Sequence, residues 1–169
     1  MDEDGIDLAT GTAGEIISRG PDLCAGYTDP ALTAATFTDD GWFHTGDMGM
    51  LDDDGYLTIT DRLKDIIIRG GENISAAEVE EIVAAAPGVV EVAVIAAPDE
   101  RLGERACALV RMAAGAEDLT LDGLRNHLEH AGFARQKWPE DLRIVADFPR
   151  TATGKIRKID LRHQLKDQT

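Results

Sequence analysis

One stretch near the middle of the chain constrains its fold more than any other: Asp61-Arg62-Leu63-Lys64-Asp65-Ile66-Ile67-Ile68-Arg69-Gly70-Gly71-Glu72-Asn73-Ile74. Charges crowd the start of a short β-branched run, which then stops at a glycine pair. An isoleucine run of this length reads as one strand, and Gly70-Gly71 lets the backbone take positive φ or lie close against another group. The charges therefore mark a junction, not a solvated helix face. One folding unit ends before the junction, and a second, smaller one follows it.

Composition narrows the class. A chain of 169 residues holds one core, or one small domain plus a fragment of another. Its formal net charge of -15 repels nucleic acid and anionic membrane surfaces, so neither is an expected partner. Cys24 and Cys107 have neither disulfide-framework nor metal-site spacing and fit a reducing compartment. No apolar stretch is long enough to span a bilayer, and Met1 is followed by Asp-Glu-Asp where a signal peptide would be basic and then apolar. The expectation is a globular cytoplasmic protein with no integral membrane segment.

In chain order, residues 1–14 are acidic and Gly/Thr-rich and read as loop. Gly14 to Gly20 is a short strand, and Pro21 to Thr36 carries a weak helical pattern. Met48–Leu51 and Tyr56–Thr60, joined through Asp52-Asp53-Asp54-Gly55, make a hairpin. About three strands with no covering helix are marginal by themselves, so this segment should pack against something the chain does not contain. Beyond the junction, Ser75-Ala76-Ala77-Glu78 is a capping box, and Val79, Ile82, Val83 and Ala86 follow at helical spacing up to Pro87-Gly88. Val89–Ala97 and Arg105–Met112 read as strands across a polar turn at Pro98–Gly103. A second helix spans about Thr120–His130 with Leu121, Leu124 and Leu128 on one face, Leu142–Phe148 is a strand, and Ile159–Leu165 a terminal helix. The fold class is α+β: a small domain of helices packed on a short β-sheet, preceded by a β-rich remnant of a larger one.

Three polar clusters can carry chemistry. In Thr45-Gly46-Asp47 a carboxylate on a glycine-flanked turn before a strand suits a diol, and equally an Asx-type turn. Arg62 and Lys64 are expected to face opposite sides, one toward a ligand and the other toward solvent or a second domain; a salt-bridged surface fits them too. Pro149-Arg150-Thr151-Ala152-Thr153-Gly154-Lys155-Ile156 puts one lysine on a hydroxyl- and glycine-rich loop, suited to a phosphate or carboxylate oxygen or to plain solvent exposure. It is not a Walker A loop, because Pro149 stands at the first glycine and Ile156 where Ser/Thr binds magnesium. His44, His127, His130 and His163 supply no metal ligand set. No Gly-x-Ser-x-Gly elbow or Gly-x-Gly-x-x-Gly fingerprint occurs.

Taken together and in order, Gly41-Trp42-Phe43-His44-Thr45-Gly46-Asp47, Asp61-Arg62-Leu63-Lys64-Asp65 with Gly70-Gly71-Glu72-Asn73-Ile74, and Pro149 to Lys155 resemble the last three core motifs of the adenylate-forming enzymes. That superfamily includes acyl-CoA synthetases, peptide-synthetase adenylation domains and luciferase. The resemblance covers nearly the whole chain. It implies that Asp47 binds the ribose hydroxyls of ATP and that Arg62 reaches the ribose and the phosphate side. Lys64 takes the hinge position, Lys155 is the adenylation lysine, and Gly70 and Gly71 line the pantetheine tunnel through which CoA enters. Mg2+ is implied with ATP, held mainly by protein outside this chain.

A complete member of that superfamily is about three times longer. The resemblance therefore implies that residues 1–62 are the tail of a large N-terminal AMP-binding domain and residues 63–169 its mobile C-terminal domain. The partner is the missing N-terminal domain; the substrates are ATP, a carboxylic acid and CoA; and the fragment alone is expected to be inactive. Phe133 to Glu140 and Phe148 to Thr151 look more like ligases for fatty, alicyclic or small acids. Two other readings stay open: an aryl- or amino-acid adenylation domain that loads a carrier protein, and a non-catalytic interaction module with the same fold.

Overall fold

Glycines and Asx turns cut the first sixty residues into short strands, whereas longer apolar runs and capped helices follow residue 65. The computed structural model describes residues 1–2 and 4–166 and divides into two compact units, one of Met1–Lys64 and one from Asp65 onward. The first contains β1 (Gly14–Ser18), a short helix α1 (Pro30–Thr36), β2 (Phe43–Leu51) and β3 (Leu57–Arg62). The strands form one antiparallel sheet in the order β1-β2-β3. Asp52 closes the expected hairpin by accepting the backbone N–H groups of Asp54 at 3.0 Å and Tyr56 at 2.8 Å, an Asx turn completed by Gly55 at φ +82°. Asp29 caps α1 by accepting the Ala31 N–H, so the helical pattern of residues 21–36 is realised only in its last 7 residues.

The second unit opens with β4 (Ile66–Arg69) and β5 (Glu72–Ser75), followed by α2 (Ala76–Ala84), β6 (Val89–Asp99) and β7 (Gly103–Met112). Then come α3 (Leu121–His130), β8 (Asp141–Ile144) and α4 (Lys158–Lys166). Gly70 and Gly71 have φ +58° and +92°, and Arg69 pairs with Glu72 across them. Two positive φ angles in a two-residue loop are what a tightly twisted hairpin requires, so the glycine pair is the turn between β4 and β5. Ser75 accepts the Glu78 N–H at 3.0 Å as the expected cap. The reciprocal half of the capping box is diverted, because the Glu78 carboxylate takes Lys137 Nζ at 2.7 Å.

β7 is the central strand. It pairs with β6 along its length, with β4 at Gly103, and in parallel with β8 from Cys107 to Val110. Its neighbour β6 is apolar at nearly every position, and the structure explains why: both faces of the sheet are covered. Val94, Ala106 and Ala108 meet Val79 and Val83 of α2 and Leu124 and Leu128 of α3 on one side. Ala93, Ile95, Cys107 and Leu109 meet Phe148 and, on α4, Leu161 and Leu165 on the other. Helices therefore sandwich the sheet in three layers. The strand expected over Leu142–Phe148 ends at Ile144, because the chain leaves the sheet there and turns Phe148 into the second core cluster. The turn expected at Pro98–Gly103 is shorter, since both flanking strands run into it.

Candidate functional site

In the first unit the carboxylate of interest sits on a bulge. Thr45-Gly46-Asp47 was expected on a turn before a strand; it lies inside β2 instead. Glu15 of β1 is opposite Met48 and Ile17 is opposite His44, so three residues of β2 face one of β1. The surplus backbone needs a residue at positive φ, and Gly46 supplies it at +70°. Side chains tie the bulge down. Thr45 donates its hydroxyl to the Ile16 carbonyl at 2.6 Å and accepts the Asp47 N–H at 3.1 Å. The Glu15 carboxylate accepts the Gly46 N–H at 3.2 Å and pairs with His44 Nδ1 at 2.8 Å.

Asp47 and Arg62 are cross-strand partners, and Arg62 Nε lies 3.0 Å from Asp47 Oδ1. Arg62 ends β3, and Leu63–Asp65 coils into a single 3-10 turn. The expectation that Arg62 and Lys64 face opposite sides fails: residues two apart share a face even in an extended strand, and the turn does not separate them. Both border one open cleft of about 300 Å³, together with Thr45, Gly46, Asp47 and Leu63. A partly exposed carboxylate flanked by two cations suits a ligand that offers hydroxyls at one end and negative charge at the other, and the volume is at the lower limit of ordinary ligand pockets.

In the second unit Lys155 stands on a self-closed loop. Thr151 donates its N–H to the Lys155 carbonyl at 2.8 Å, and Gly154 donates to the Thr151 carbonyl at 2.9 Å. The Lys155 N–H reaches Thr151 Oγ1 at 3.1 Å, and Gly154 takes φ +86°. Arg150 and Ile156 pair across the base of the loop. The Lys155 side chain is exposed; among the described residues no carboxylate lies within ion-pair distance of its ammonium group. Arg150 grips both oxygens of Glu91 at 2.8 and 2.7 Å. This geometry suits a cation presented outward on a fixed backbone. His127 is not a metal ligand, since its Nε2 meets the Ile82 carbonyl at 2.9 Å, and among the described residues no group of His, Cys, Asp and Glu could hold a metal ion. No helix of the described residues is long and apolar enough to cross a membrane.

Residues 78–155 match the family of the AMP-binding enzyme C-terminal domain. The chain is 43% identical over 159 residues to the medium-chain fatty-acid–CoA ligase of Escherichia coli, covering 94% of this chain and 28% of that protein. The chain belongs to the adenylate-forming superfamily. Among its adenylate-forming relatives, the indoleacetate–CoA ligase of Aromatoleum aromaticum is 42% identical over 168 residues, 99% of this chain and 32% of that one. The crystal structure of ATP-bound MatB from Rhodopseudomonas palustris shares the fold with a TM-score of 0.88 and 39% identity, covering 99% of this chain and 33% of that one. The chain thus spans about a third of the length of the adenylate-forming proteins it matches.

The sequence had no signal for several supports of this site. Glu15 and His44 hold the bulge from 31 and two residues away from Gly46, and only the strand register brings them there. Glu91 reaches Arg150 across 59 residues of chain. A carboxylate opposite Arg111 on the neighbouring strand was the one available clue, and it needed the β6–β7 register to be read.

Proposed function

We propose that this chain is the C-terminal portion of an ATP-dependent acid–CoA ligase, which activates a carboxylic acid as its acyl-adenylate and passes the acyl group to CoA. Residues 1–62 are the tail of the large N-terminal AMP-binding domain, and residues 63–169 are the mobile C-terminal domain. The observation that carries the reading is the pairing of Asp47 with Arg62 beside an open cleft that Lys64 also borders, in a chain whose Lys155 is presented without a carboxylate partner among the described residues. Asp47 accepts the ribose hydroxyls, and Arg62 faces the ribose and phosphate side. Lys64 is the pivot, and the division of the chain between Lys64 and Asp65 supports it.

Lys155 supplies positive charge where an acid oxygen meets the α-phosphate and pyrophosphate leaves. A preorganised cation at that point stabilises the charge that develops in the transition state. Once the acid is activated the same cation obstructs a thiol, so the domain that carries it must swing away. Gly70 and Gly71 then border the pantetheine of CoA, where the absence of side chains leaves room for a narrow ligand. Mg2+ travels with the nucleotide, held mainly by the N-terminal domain. The exposed apolar side chains Tyr56, Leu57, Ile59 and Leu63 cover that domain's remaining surface.

The relatives act on acids as different as a medium-chain fatty acid and indoleacetate at 43% and 42% identity. Such even similarity supports an acid-selecting pocket upstream of this portion. The test is acid-dependent pyrophosphate release, measured with a panel of straight-chain, ring and aryl acids. The chain alone should give none, and the chain rejoined to its upstream domain should respond to a subset of acids. Lys155→Ala in the rejoined enzyme should cost about 10²–10³-fold in release. Turnover by the isolated chain comparable to intact relatives, or an unaffected Lys155→Ala variant, would overturn the proposal.

A further inference from the structure

We propose that Glu91 is a positioning residue for Lys155, acting through Arg150, and that it serves the acid-activating step and not the thiol-transfer step. The inference rests on the reading of Lys155 as the adenylation lysine and extends it to a residue outside every motif of the sequence.

The loop's internal hydrogen bonds fix Lys155 relative to Thr151, but they leave open what fixes the loop to the domain. Its charged tie to the sheet runs through one guanidinium. Arg150 Nη2 reaches Glu91 Oε1 and Oε2 at 2.8 and 2.7 Å, and Arg150 Nη1 donates across the loop to the Gly154 carbonyl at 3.2 Å. Gly154 directly precedes Lys155, so the guanidinium bridges the β6 strand and the peptide that orients the lysine. Asp147 Oδ1 lies 3.5 Å from the same Nη2, a weaker tether on the loop's own approach.

Glu91 is itself immobilised. Its Oε2 accepts from Arg111 Nε at 2.8 Å and Nη2 at 2.5 Å, and Arg111 is its cross-strand partner on the sheet. One carboxylate thus holds two arginines, both of which reach its Oε2. Arg150 first, and then Arg111, hold its carboxyl below the usual range, so the clamp is charged throughout the neutral range. Neutralising Glu91 does more than release Arg150: it leaves two guanidinium groups sharing a site with only the weaker Asp147 carboxylate beside them. The loop then shifts while the core beneath is untouched, since Phe148, Leu161 and Ile156 pack independently of these charges.

A displaced lysine should cost rate without costing substrate binding, because misplacement of about 1 Å at a reacting group lowers turnover by up to about 10²-fold. Two measurements on Glu91→Gln test this. In the present chain, amide exchange at Thr151, Gly154 and Lys155 should speed at least about tenfold, while Val94 and Ala108 in the sheet stay unchanged. In the rejoined enzyme, supplied with the fastest acid of the panel, kcat for pyrophosphate release should fall about 10- to 100-fold with KM for ATP within about twofold. Thioester formation from the supplied acyl-adenylate and CoA should be unchanged. Arg150→Lys, which keeps the charge but loses the fork, should show the same split and covers the case of a poorly folding Glu91→Gln. Unchanged loop exchange, or equal losses in both half-reactions, overturns the role of Glu91. Lys155→Ala without effect on pyrophosphate release overturns instead the functional reading on which it rests.

Discussion

The two units differ in how much of their apolar surface they keep. All the fully buried apolar side chains of the described residues, from Ile67 to Leu165, belong to the unit that begins at Asp65. The sheet before it exposes Tyr56 at 73%, Ile59 at 64% and Leu57 at 49%. Charge divides the same way. Fourteen of the 32 acidic residues but only three of the 17 basic ones precede residue 65, which puts -11 of the net -15 in the first 64 residues. A small sheet with its apolar groups in water and a high density of like charge has little to offset its conformational entropy. The second unit has helices on both faces of its sheet and needs no other cover. The lesson is that the chain's polar machinery sits partly on a platform that holds its shape through hydrogen-bonded turns, and partly on a self-sufficient domain.

The comparison breaks first under truncation. Residues 65–169 alone should unfold in one cooperative thermal transition by circular dichroism, whereas residues 1–64 alone should show none. A sigmoidal transition in the shorter piece would sink the contrast. The cysteines sharpen it next. Cys24 is exposed and Cys107 buried, and burial pushes the Cys107 thiol up to about 12, so little thiolate is present at neutral pH. A thiol reagent should label Cys24 at once, while Cys107 waits for global opening of the second unit, a difference of at least about 10³-fold in rate by mass spectrometry.

Truncation of single side chains should give unequal costs of the kind the burial pattern dictates. Leu128→Ala, from a fully buried position, should lower stability by about 2–5 kcal/mol in denaturant titration. Ile59→Ala should change it by less than about 0.5 kcal/mol in this chain. A loss of more than that at Ile59 would mean the first sheet buries more than its exposure suggests. Gly71→Ala forces a side chain onto a φ of +92° with no atom to clash against, so its cost is backbone strain alone, about 1 kcal/mol in the same titration.

The smallest expected effect is on pH dependence. The Asp99 carboxylate accepts the N–H groups of Leu102 and Arg101, and these bonds hold its pKa below the unfolded value of 3.8. Its contribution is present above that value and fades as pH falls through the lower folded value. The melting temperature of residues 65–169 should therefore drop between about pH 5 and about pH 3, and Asp99→Asn should flatten the drop. An equal slope in both proteins would assign the acid sensitivity elsewhere.

Much of the fold was legible because its causes are local. Ser75 as a cap, Gly70-Gly71 as backbone free to take positive φ, and Leu124 and Leu128 as a buried helix face each depend on residues within a few positions of one another. The adenylate-forming resemblance was legible for a different reason: three polar motifs occur in one order along the chain. Errors arose where register or chain direction decided the outcome. Asp47 was expected on a turn, yet the surplus of β2 over β1 makes it part of a bulge. Arg62 and Lys64 were expected to diverge, yet residues two apart share a face in a strand, and both border one cleft.

The amino-acid order alone thus determined most of the strands and helix caps, though not the strand Glu72–Ser75, and the identity of the polar groups that carry chemistry, because backbone preference and hydrophobic period act over a few residues. Tertiary structure decided which of those groups meet. Glu91 and Arg150 are 59 residues apart in the chain, and the β6–β7 register together with the return of the chain past Phe148 makes them partners. Electrostatic pairing acts over a few ångströms of space, whatever the separation along the chain.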